Sequence, residues 1–211
     1  MRLYEFAPTR SIRVRWVLQE LGVPFDATTV DLRRGEHRRP EFLAINPAGK
    51  LPVLVDDGVV LTESIAIVLY LAEKFPAAGL LPRALDARAQ AYRWLLFAAT
   101  ELEQPLWRIA RHTSLYPEEE RIPAEVPIAA SDFCDMATVL DQHLEDREFV
   151  LGDAVSAADF ALAYTLDWAN EAKLLDGFDH ARAYMQRMYS RPNAAPRIAA
   201  AFQSIGGRQA P

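Results

Sequence analysis

A proline at the start of an apolar strand, followed by a tight turn and a helix start, most constrains the fold of this chain. Residues 50–65 read KLPVLVDDGVVLTESI. Proline cannot donate to a sheet ladder, so Pro52 belongs at a strand start or edge, where a cis peptide can bend the chain. The dipeptide Asp57-Gly58 predicts a hairpin between the apolar runs on either side of it. The sequence therefore predicts a β-hairpin preceded by an exposed backbone bend at Leu51.

The segment around this bend has the groups needed to bind an extended peptide. The peptide groups of Leu51, turned away from the sheet, can pair with a peptide ligand as an added strand does. Glu63 and Ser64 stand at a predicted helix start, where unpaired amides and the positive end of the helix dipole suit a carboxylate. The Glu63 carboxylate can pair with an ammonium group, so an α-amino acid zwitterion fits both. The alternative is an ordinary hairpin followed by a helix cap.

Composition and charge describe a globular chain and argue against several classes of function. The 211 residues, 23.7 kDa in mass, are 51% hydrophobic and 25% charged, which suits one large or two modest domains. A formal net charge of -6 argues against general nucleic-acid binding. Cys134 is the single cysteine, which excludes an internal disulfide and fits a reducing compartment. Without a secretory segment or an apolar run of about 18 residues, we expect a cytoplasmic protein with no membrane contact.

Hydrophobic periodicity divides the chain into two parts of different character. The first part, residues 1–76, predicts the order βαβαββα. Its predicted strands lie at 2–6, 25–32, 53–55 and 59–61, and its predicted helices lie around 14–21, 40–46 and 64–74. Residues 77–85, rich in Pro, Ala and Gly, predict a linker. Residues 86–211 show helical patterns without convincing strand runs and predict an all-α domain.

A helix-start signal lies within the second part. Ser156 followed by Asp159 three residues later predicts a capping box, and Val155 with Phe160 predicts a hydrophobic staple around it. Each of these features serves helix initiation. We therefore interpret this motif as structural rather than catalytic.

The order and spacing of these motifs resemble the cytosolic glutathione transferases over nearly the whole chain. The resemblance rests on Lys-Leu-Pro-Val before the hairpin, Glu-Ser at the last helix of the first part, the linker, and Ser-x-x-Asp in an all-α domain. It implies an α/β thioredoxin-like N-terminal domain that binds glutathione, followed by an all-α C-terminal domain that forms the electrophile pocket. It also implies a homodimer that uses glutathione as co-substrate, with no metal or redox cofactor.

The resemblance assigns the glutathione-binding residues. Pro52 resembles the family's cis-proline, and Leu51 before it is expected to pair its backbone with the cysteinyl part of glutathione. Glu63 and Ser64 resemble the pair that holds the γ-glutamyl end.

Two more residues resemble those with which theta-like members reach the cysteine and glycine end of the peptide. They are Lys50 and His37, and His37 lies fifteen residues before Pro52. The basic loop around His37 would attract a tripeptide of negative net charge. The alternative is that His37 is simply solvated.

The loop after the first strand is expected to activate the glutathione thiol. Family members carry a Tyr, Ser or Cys there, and Thr-Arg-Ser-x-Arg resembles bacterial and fungal members with a Ser or Thr at this turn. Arg10 occupies the position of the beta-class cysteine, and Tyr4 stands too early. A free thiol has a pKa of about 8.5, and a hydroxyl donor, a helix start and a guanidinium all favour the thiolate. We expect Ser11 or Thr9 to be the donor, with a slight preference for Ser11; the alternative is a helix cap.

The first long helix of the second part carries candidate residues for the electrophile pocket. Trp107, Arg108, Arg111 and His112 recur at spacings that place three or four of them near one helical face. We expect them to line an aromatic, partly basic pocket between this helix and the thiol loop. The alternative is a core tryptophan beside solvated arginines.

Three functions remain open from the sequence. The leading one is addition of glutathione to electrophilic, mostly apolar substrates. The second keeps the fold and changes the reaction to isomerisation, dehalogenation, ether cleavage or peroxide reduction. The third is a non-catalytic interaction protein. Pro52, Glu63 and Ser64 together with a hydroxyl-bearing loop favour the enzymes.

Overall fold

The computed structural model describes residues 1–206 and divides the chain into two compact units. The first unit contains residues 1–81 and, of the described chain, residues 191–206. The second unit is Pro82–Ser190. None of the helices within residues 1–206 has both the length and the apolar character needed to cross a bilayer.

A four-stranded sheet forms the base of the first unit, with spatial order β2-β1-β3-β4. Strand β2 runs parallel to β1, whereas β3 is antiparallel to both β1 and β4. The strands and helices follow the predicted order βαβαββα. They are β1 Arg2–Glu5, α1 Ser11–Glu20, β2 Asp26–Thr29, α2 Pro40–Leu43, β3 Val53–Asp56, β4 Val59–Leu61 and α3 Ser64–Lys74.

The hairpin between β3 and β4 turns at the predicted dipeptide. Asp57 has φ 48° and Gly58 has φ 85°. Positive φ at both central residues is the requirement of a two-residue type I′ turn, whose twist matches that of the flanking strands. The turn fixes a register in which Leu54, fully buried, pairs with Leu61. The chain then enters α3, whose observed bounds are those that the sequence predicts.

Strand β2 and helix α2 are shorter than predicted, because polar side chains turn the chain after each of them. The Asp31 carboxylate accepts the main-chain N–H of Arg33 at 2.8 Å, so the chain leaves β2 and enters the 3-10 turn Leu32–Arg34. Asn46 accepts the N–H of Ala48 through its side chain at 3.1 Å, and the chain turns there after α2.

The second unit is helical. Helix α5, Glu103–Ala110, is preceded by the π-helical turn Ala98–Leu102 and followed by a second, Arg111–Leu115. Such turns are rare and are frequent at functional sites. The helices are α4 Leu85–Phe97, α5 Glu103–Ala110, α6 Glu125–His143, α7 Ala157–Glu171 and α8 Asp179–Tyr189.

The last described residues, 191–206, belong to the first unit rather than to the helical one. Helix α9, Ile198–Gly206, follows Arg191, whose guanidinium pairs with the Glu20 carboxylate at the end of α1. Ile198 is 5% exposed. The predicted boundaries placed everything after residue 85 in the helical domain. The difference arises because these late contacts join residues far apart in sequence, which periodicity does not register.

The predicted linker is partly packed. It contains the 3-10 turn Pro76–Ala78, and both Leu80 and Leu81 are buried. The boundary between the two units falls within it, after Leu81.

Helix α7 begins at the predicted capping box. Ser156 is its N-cap, and the Asp159 carboxylate accepts the Ser156 N–H at 2.7 Å. Asp159 is fully buried and also accepts the Val150 N–H at 2.9 Å and the Tyr184 hydroxyl at 2.6 Å. Burial raises the pKa of Asp159 against the effect of these donors. The motif therefore joins α7, α8 and the preceding loop, as its structural interpretation requires.

We expect Tyr184→Phe to lower the free energy of unfolding by about 1–2 kcal/mol, because it removes one buried hydrogen bond to Asp159. Urea unfolding followed by circular dichroism measures the change. The matched control is Tyr116→Phe, whose hydroxyl makes no hydrogen bond among residues 1–206. Equal losses of unfolding free energy in the two variants would show that the hydrogen bond from Tyr184 to Asp159 does not stabilise the fold.

Candidate functional site

The backbone bend before β3 has the predicted geometry. The peptide bond between Leu51 and Pro52 is cis, and Pro52 is buried. Among the described residues, neither the main-chain N–H nor the C=O of Leu51 has a hydrogen-bond partner. These two groups are therefore available to the main chain of an extended peptide, as the sequence predicts.

Asn46 and Gly49 shape the turn that leads into this bend. The buried Asn46 side chain donates to the Lys50 carbonyl at 2.8 Å and so holds the chain just before Leu51. Gly49 has φ +61°, and a Cβ there would lie 2.9 Å from the His37 carbonyl oxygen. Only glycine allows this approach without a shift of backbone. The close approach places the turn that contains His37 directly against Gly49.

His37 lies in the 3-10 turn Glu36–Arg38 and is half-buried rather than fully solvated. Its ring Nδ1 is buried and has no hydrogen-bond partner within residues 1–206. The neighbouring Arg38 and Lys50 are exposed cations. Glu36 accepts the main-chain N–H of Asp31 at 2.7 Å, so its carboxylate is held back toward its own loop. This end of the site suits an anionic group.

Glu63 and Ser64 form the start of α3. Glu63 has φ 63° and ψ 111°, a region that non-glycine residues rarely adopt. Strained residues of this kind cluster at ligand sites. Its side chain is exposed, whereas Ser64 is 4% exposed. The first amides of α3 have no partner within the helix, so a carboxylate can bind at Ser64 while Glu63 pairs with an ammonium.

Thr9 and Ser11 share a hydrogen-bond network in the loop before α1. The Thr9 hydroxyl donates to the Phe6 carbonyl at 2.5 Å. Its single hydrogen is thereby used, so in the 2.8 Å contact between the two hydroxyls Ser11 is the donor and Thr9 the acceptor. The Phe6 N–H in turn donates to Ser11 Oγ at 3.3 Å. Both hydroxyls therefore support the loop, as the alternative interpretation predicts.

Exposure distinguishes these two hydroxyls. Ser11 is 1% exposed, whereas Thr9 and Arg10 are half-buried. When a thiolate is present, the Thr9 hydroxyl can donate its hydrogen bond to the sulfur instead of to the Phe6 carbonyl. Thr9 still accepts the hydrogen bond from Ser11. The geometry thus favours Thr9 as the donor to the thiolate, whereas the sequence slightly favoured Ser11. Arg10 is the N-cap residue of α1.

Segments of the first unit meet at one end of the two central strands, β1 and β3. Tyr4, near the end of β1, pairs with Val53, the first residue of β3, so Pro52 lies beside the point where the thiol loop leaves β1. The Arg13 guanidinium donates through Nη1 to Ser64 Oγ at 3.2 Å, which joins the starts of α1 and α3. The structure therefore brings together the predicted peptide-binding and thiol-activating residues.

The residues predicted for the electrophile pocket divide into two pairs. Trp107 packs edge to face on Trp168 of α7, with ring centroids 5.2 Å apart, and the Arg111 guanidinium lies 5.9 Å from the Trp107 ring. Both tryptophans are half-buried. This group offers an aromatic and basic surface.

The other pair, Arg108 and His112, is engaged by α6 and by the segment before it. Arg108 donates to Glu125 at 2.9 Å and pairs with Asp132, and these carboxylates raise the pKa of Arg108. His112 Nδ1 accepts the Ile122 N–H at 3.1 Å. Arg108 is therefore engaged by carboxylates of α6, and the lining of an electrophile pocket by these four residues stays a prediction.

Three site residues were not predicted from the sequence. Arg13 reads as one of several arginines in a helix, and nothing in its spacing shows that it is buried. Trp168 stands in a continuous apolar helix without a distinguishing pattern. Asn46 alone has a local signal, since Asn-Pro favours a turn.

The fold and the site define a two-unit protein with a thioredoxin-like first unit and a helical second unit. Residues 1–73 match the family model described as "Glutathione S-transferase, N-terminal domain", and residues 123–187 match "Glutathione S-transferase, C-terminal domain". The chain belongs to the glutathione S-transferase family, whose members are enzymes that use glutathione as co-substrate.

Individual relatives resemble the chain over most of its length. Glutathione S-transferase F10 of Arabidopsis thaliana is 34% identical over 90% of this chain and 94% of its own. Glutathione S-transferase GstA of Escherichia coli O157:H7 is 32% identical over 95% of this chain and 98% of its own. A glutathione transferase family member from Pseudomonas fluorescens Pf-5, crystallised with two glutathione bound, is 25% identical with a TM-score of 0.81 and covers 92% of each chain.

Proposed function

We propose that this enzyme adds the glutathione thiol to electrophilic, mostly apolar substrates. The observation that carries the proposal is the unpaired main chain of Leu51 beside cis-Pro52, at the same end of the central strands as the thiol loop. An extended peptide bound there as an added strand would present its cysteine toward that loop. The bacterial relatives and the hydroxyl-bearing loop support placing the chain near theta- and beta-like members, with Thr9 and Ser11 taking the role of the beta-class cysteine.

Each part of glutathione has a proposed partner in the first unit. The cysteinyl main chain pairs with Leu51. The γ-glutamyl carboxylate binds the Ser64 hydroxyl and the first amides of α3, and its ammonium pairs with Glu63. The glycine carboxylate lies near His37 and Lys50, where exposed positive charge attracts it.

The thiol loses its proton to solvent before it attacks. Thr9 donates to the resulting thiolate, while Ser11, the start of α1 and Arg10 add to the stabilisation of the negative charge. The sulfur then forms a bond with the electrophilic carbon, and any leaving group departs with the electron pair of the broken bond. This activation lowers the pKa of the thiol, because each of these contacts favours the charged form.

The helical unit supplies contacts for the electrophile in this proposal. Trp107, Trp168 and Arg111 present the aromatic and basic surface. Arg108 and His112 act less directly: Arg108 pairs with Glu125 of α6, and His112 accepts the N–H of Ile122 in the segment before α6.

The test combines binding with turnover. Retention on immobilised glutathione, followed by elution with free glutathione, distinguishes an enzyme of this kind from a non-catalytic interaction protein. Assay of the eluted protein against activated aryl halides, alkyl halides, aryl ethers and hydroperoxides then separates conjugation from dehalogenation, ether cleavage and peroxide reduction. Retention without turnover of any of these compounds would contradict the proposed conjugation.

We expect a two-fold symmetric dimer, in which the first unit of one chain packs on the helical unit of the other. Exposed apolar residues support this: Val59 and Val60 on edge strand β4 are 47% exposed, and Leu85 and Leu96 on α4 are 81% and 59% exposed. Light scattering is expected to give twice the chain mass of 23.7 kDa at micromolar concentration. A mass of one chain across that range would contradict the dimer. The proposed location of this dimer is the cytosol.

A further inference from the structure

A buried guanidinium lies directly behind the Ser64 hydroxyl. Arg13 is 1% exposed, and its Nη1 lies 3.2 Å from Ser64 Oγ, across 51 residues of sequence. Arginine is almost never fully buried unless it is paired, because its charge loses water there. The Arg13 guanidinium is thus held out of water at the candidate γ-glutamyl site.

The direction of this hydrogen bond determines what Ser64 can do. A guanidinium has donors and no acceptor, so Ser64 Oγ accepts from Arg13 and keeps its own hydrogen for another group. Within residues 1–206, Arg13 is the one hydrogen-bond partner of this hydroxyl. Accepting a bond from a cation polarises the hydroxyl and makes it a stronger donor. A carboxylate at the start of α3 would meet this polarised O–H together with the first helical amides.

We propose that Arg13 is a positioning residue for glutathione, which holds and polarises the Ser64 hydroxyl toward the carboxylate of the γ-glutamyl group. The inference rests on the glutathione site proposed above and adds to it a residue that does not itself touch the ligand. Arg13 also stands two residues after Ser11, at the start of α1. The same side chain therefore fixes the γ-glutamyl end of the site relative to the thiol loop.

The test compares two ligands on the same protein. One is glutathione, and the other is 4-aminobutyryl-cysteinylglycine, which is glutathione without the γ-glutamyl carboxylate. By calorimetry, we expect Arg13→Met to weaken glutathione binding about tenfold or more and to leave binding of the analogue nearly unchanged. The ratio of the two dissociation constants does not depend on the folded fraction of the variant. Arg13→Lys, which keeps one donor and the charge, is expected to recover part of the ratio.

Arg15→Met is the matched control, since Arg15 lies on the same helix and pairs with Glu5 instead. We expect it to bind both ligands as the wild type does. Equal weakening of both ligands by Arg13→Met would show a structural role only and would overturn the inference, as would unchanged binding of glutathione. If the wild type binds neither ligand, the proposed function itself fails and the inference falls with it.

Discussion

Removing the γ-glutamyl contacts is expected to weaken glutathione binding strongly while the rate at saturation changes much less. We expect Ser64→Ala and Glu63→Gln each to raise the Michaelis constant for glutathione about ten- to hundredfold, because each removes a charged hydrogen bond worth about 1.5–3 kcal/mol. Glu63→Gln keeps the size of the side chain at this strained position, so it isolates the loss of charge. Steady-state kinetics with glutathione varied at saturating electrophile measures the effect.

The two variants have controls of the same chemical kind outside the site. Ser131→Ala removes an exposed hydroxyl on α6, and Glu41→Gln neutralises an exposed carboxylate on α2. Both controls should keep the wild-type Michaelis constant. Wild-type constants in Ser64→Ala and Glu63→Gln would overturn the assignment of the γ-glutamyl site.

The second large effect concerns the thiolate. We expect Thr9→Val to raise the apparent pKa of the conjugation rate by about 1–2 units, because a hydrogen bond to an ionised group contributes about 1.5–3 kcal/mol. A group whose pKa rises is less ionised at neutral pH, so turnover at pH 7 falls and recovers as the pH increases. Thr9→Ser keeps the hydroxyl and should retain the wild-type profile. Ser11→Ala should shift the pKa in the same direction by less, since it removes only the bond that Thr9 accepts.

The control for this series is Thr138→Val, which removes an exposed hydroxyl on α6 that donates to the Cys134 carbonyl. Its pH profile should match the wild type. Unchanged profiles in both Thr9→Val and Ser11→Ala would rule out a hydroxyl donor. Arg10 or the amides at the start of α1 would then be the activator, and Arg10→Ala would separate these two.

Local signals in the sequence predicted the first unit well. The hairpin at Asp57 and Gly58 and the bounds of α3 depend on the backbone preferences of one or two residues. The capping box at Ser156 is of the same kind, because both of its partners lie within one helical turn. These features are visible in sequence because their causes are local. The cis bond before Pro52 was expected from the family resemblance.

Features that depend on distant contacts were not predictable. The bond from Arg13 to Ser64 spans 51 residues, and the pair of Trp107 with Trp168 joins two helices that meet only after folding. Arg108 pairs with carboxylates of α6. The assignment of α9 to the first unit depends partly on the ion pair between Arg191 and Glu20. Hydrophobic periodicity shows which residues share one face of a helix or strand, but it does not show which other element that face will contact.

Titration of the thiolate of bound glutathione tests the central claim most directly. The wild-type enzyme, saturated with glutathione and without electrophile, is followed by ultraviolet difference absorbance of the thiolate across pH 5 to 9. If the Leu51 bend and the Thr9 loop bind and activate glutathione, the bound thiol titrates clearly below the value of about 8.5 expected for a free thiol. A thiol that titrates at its free value would contradict the proposed activation.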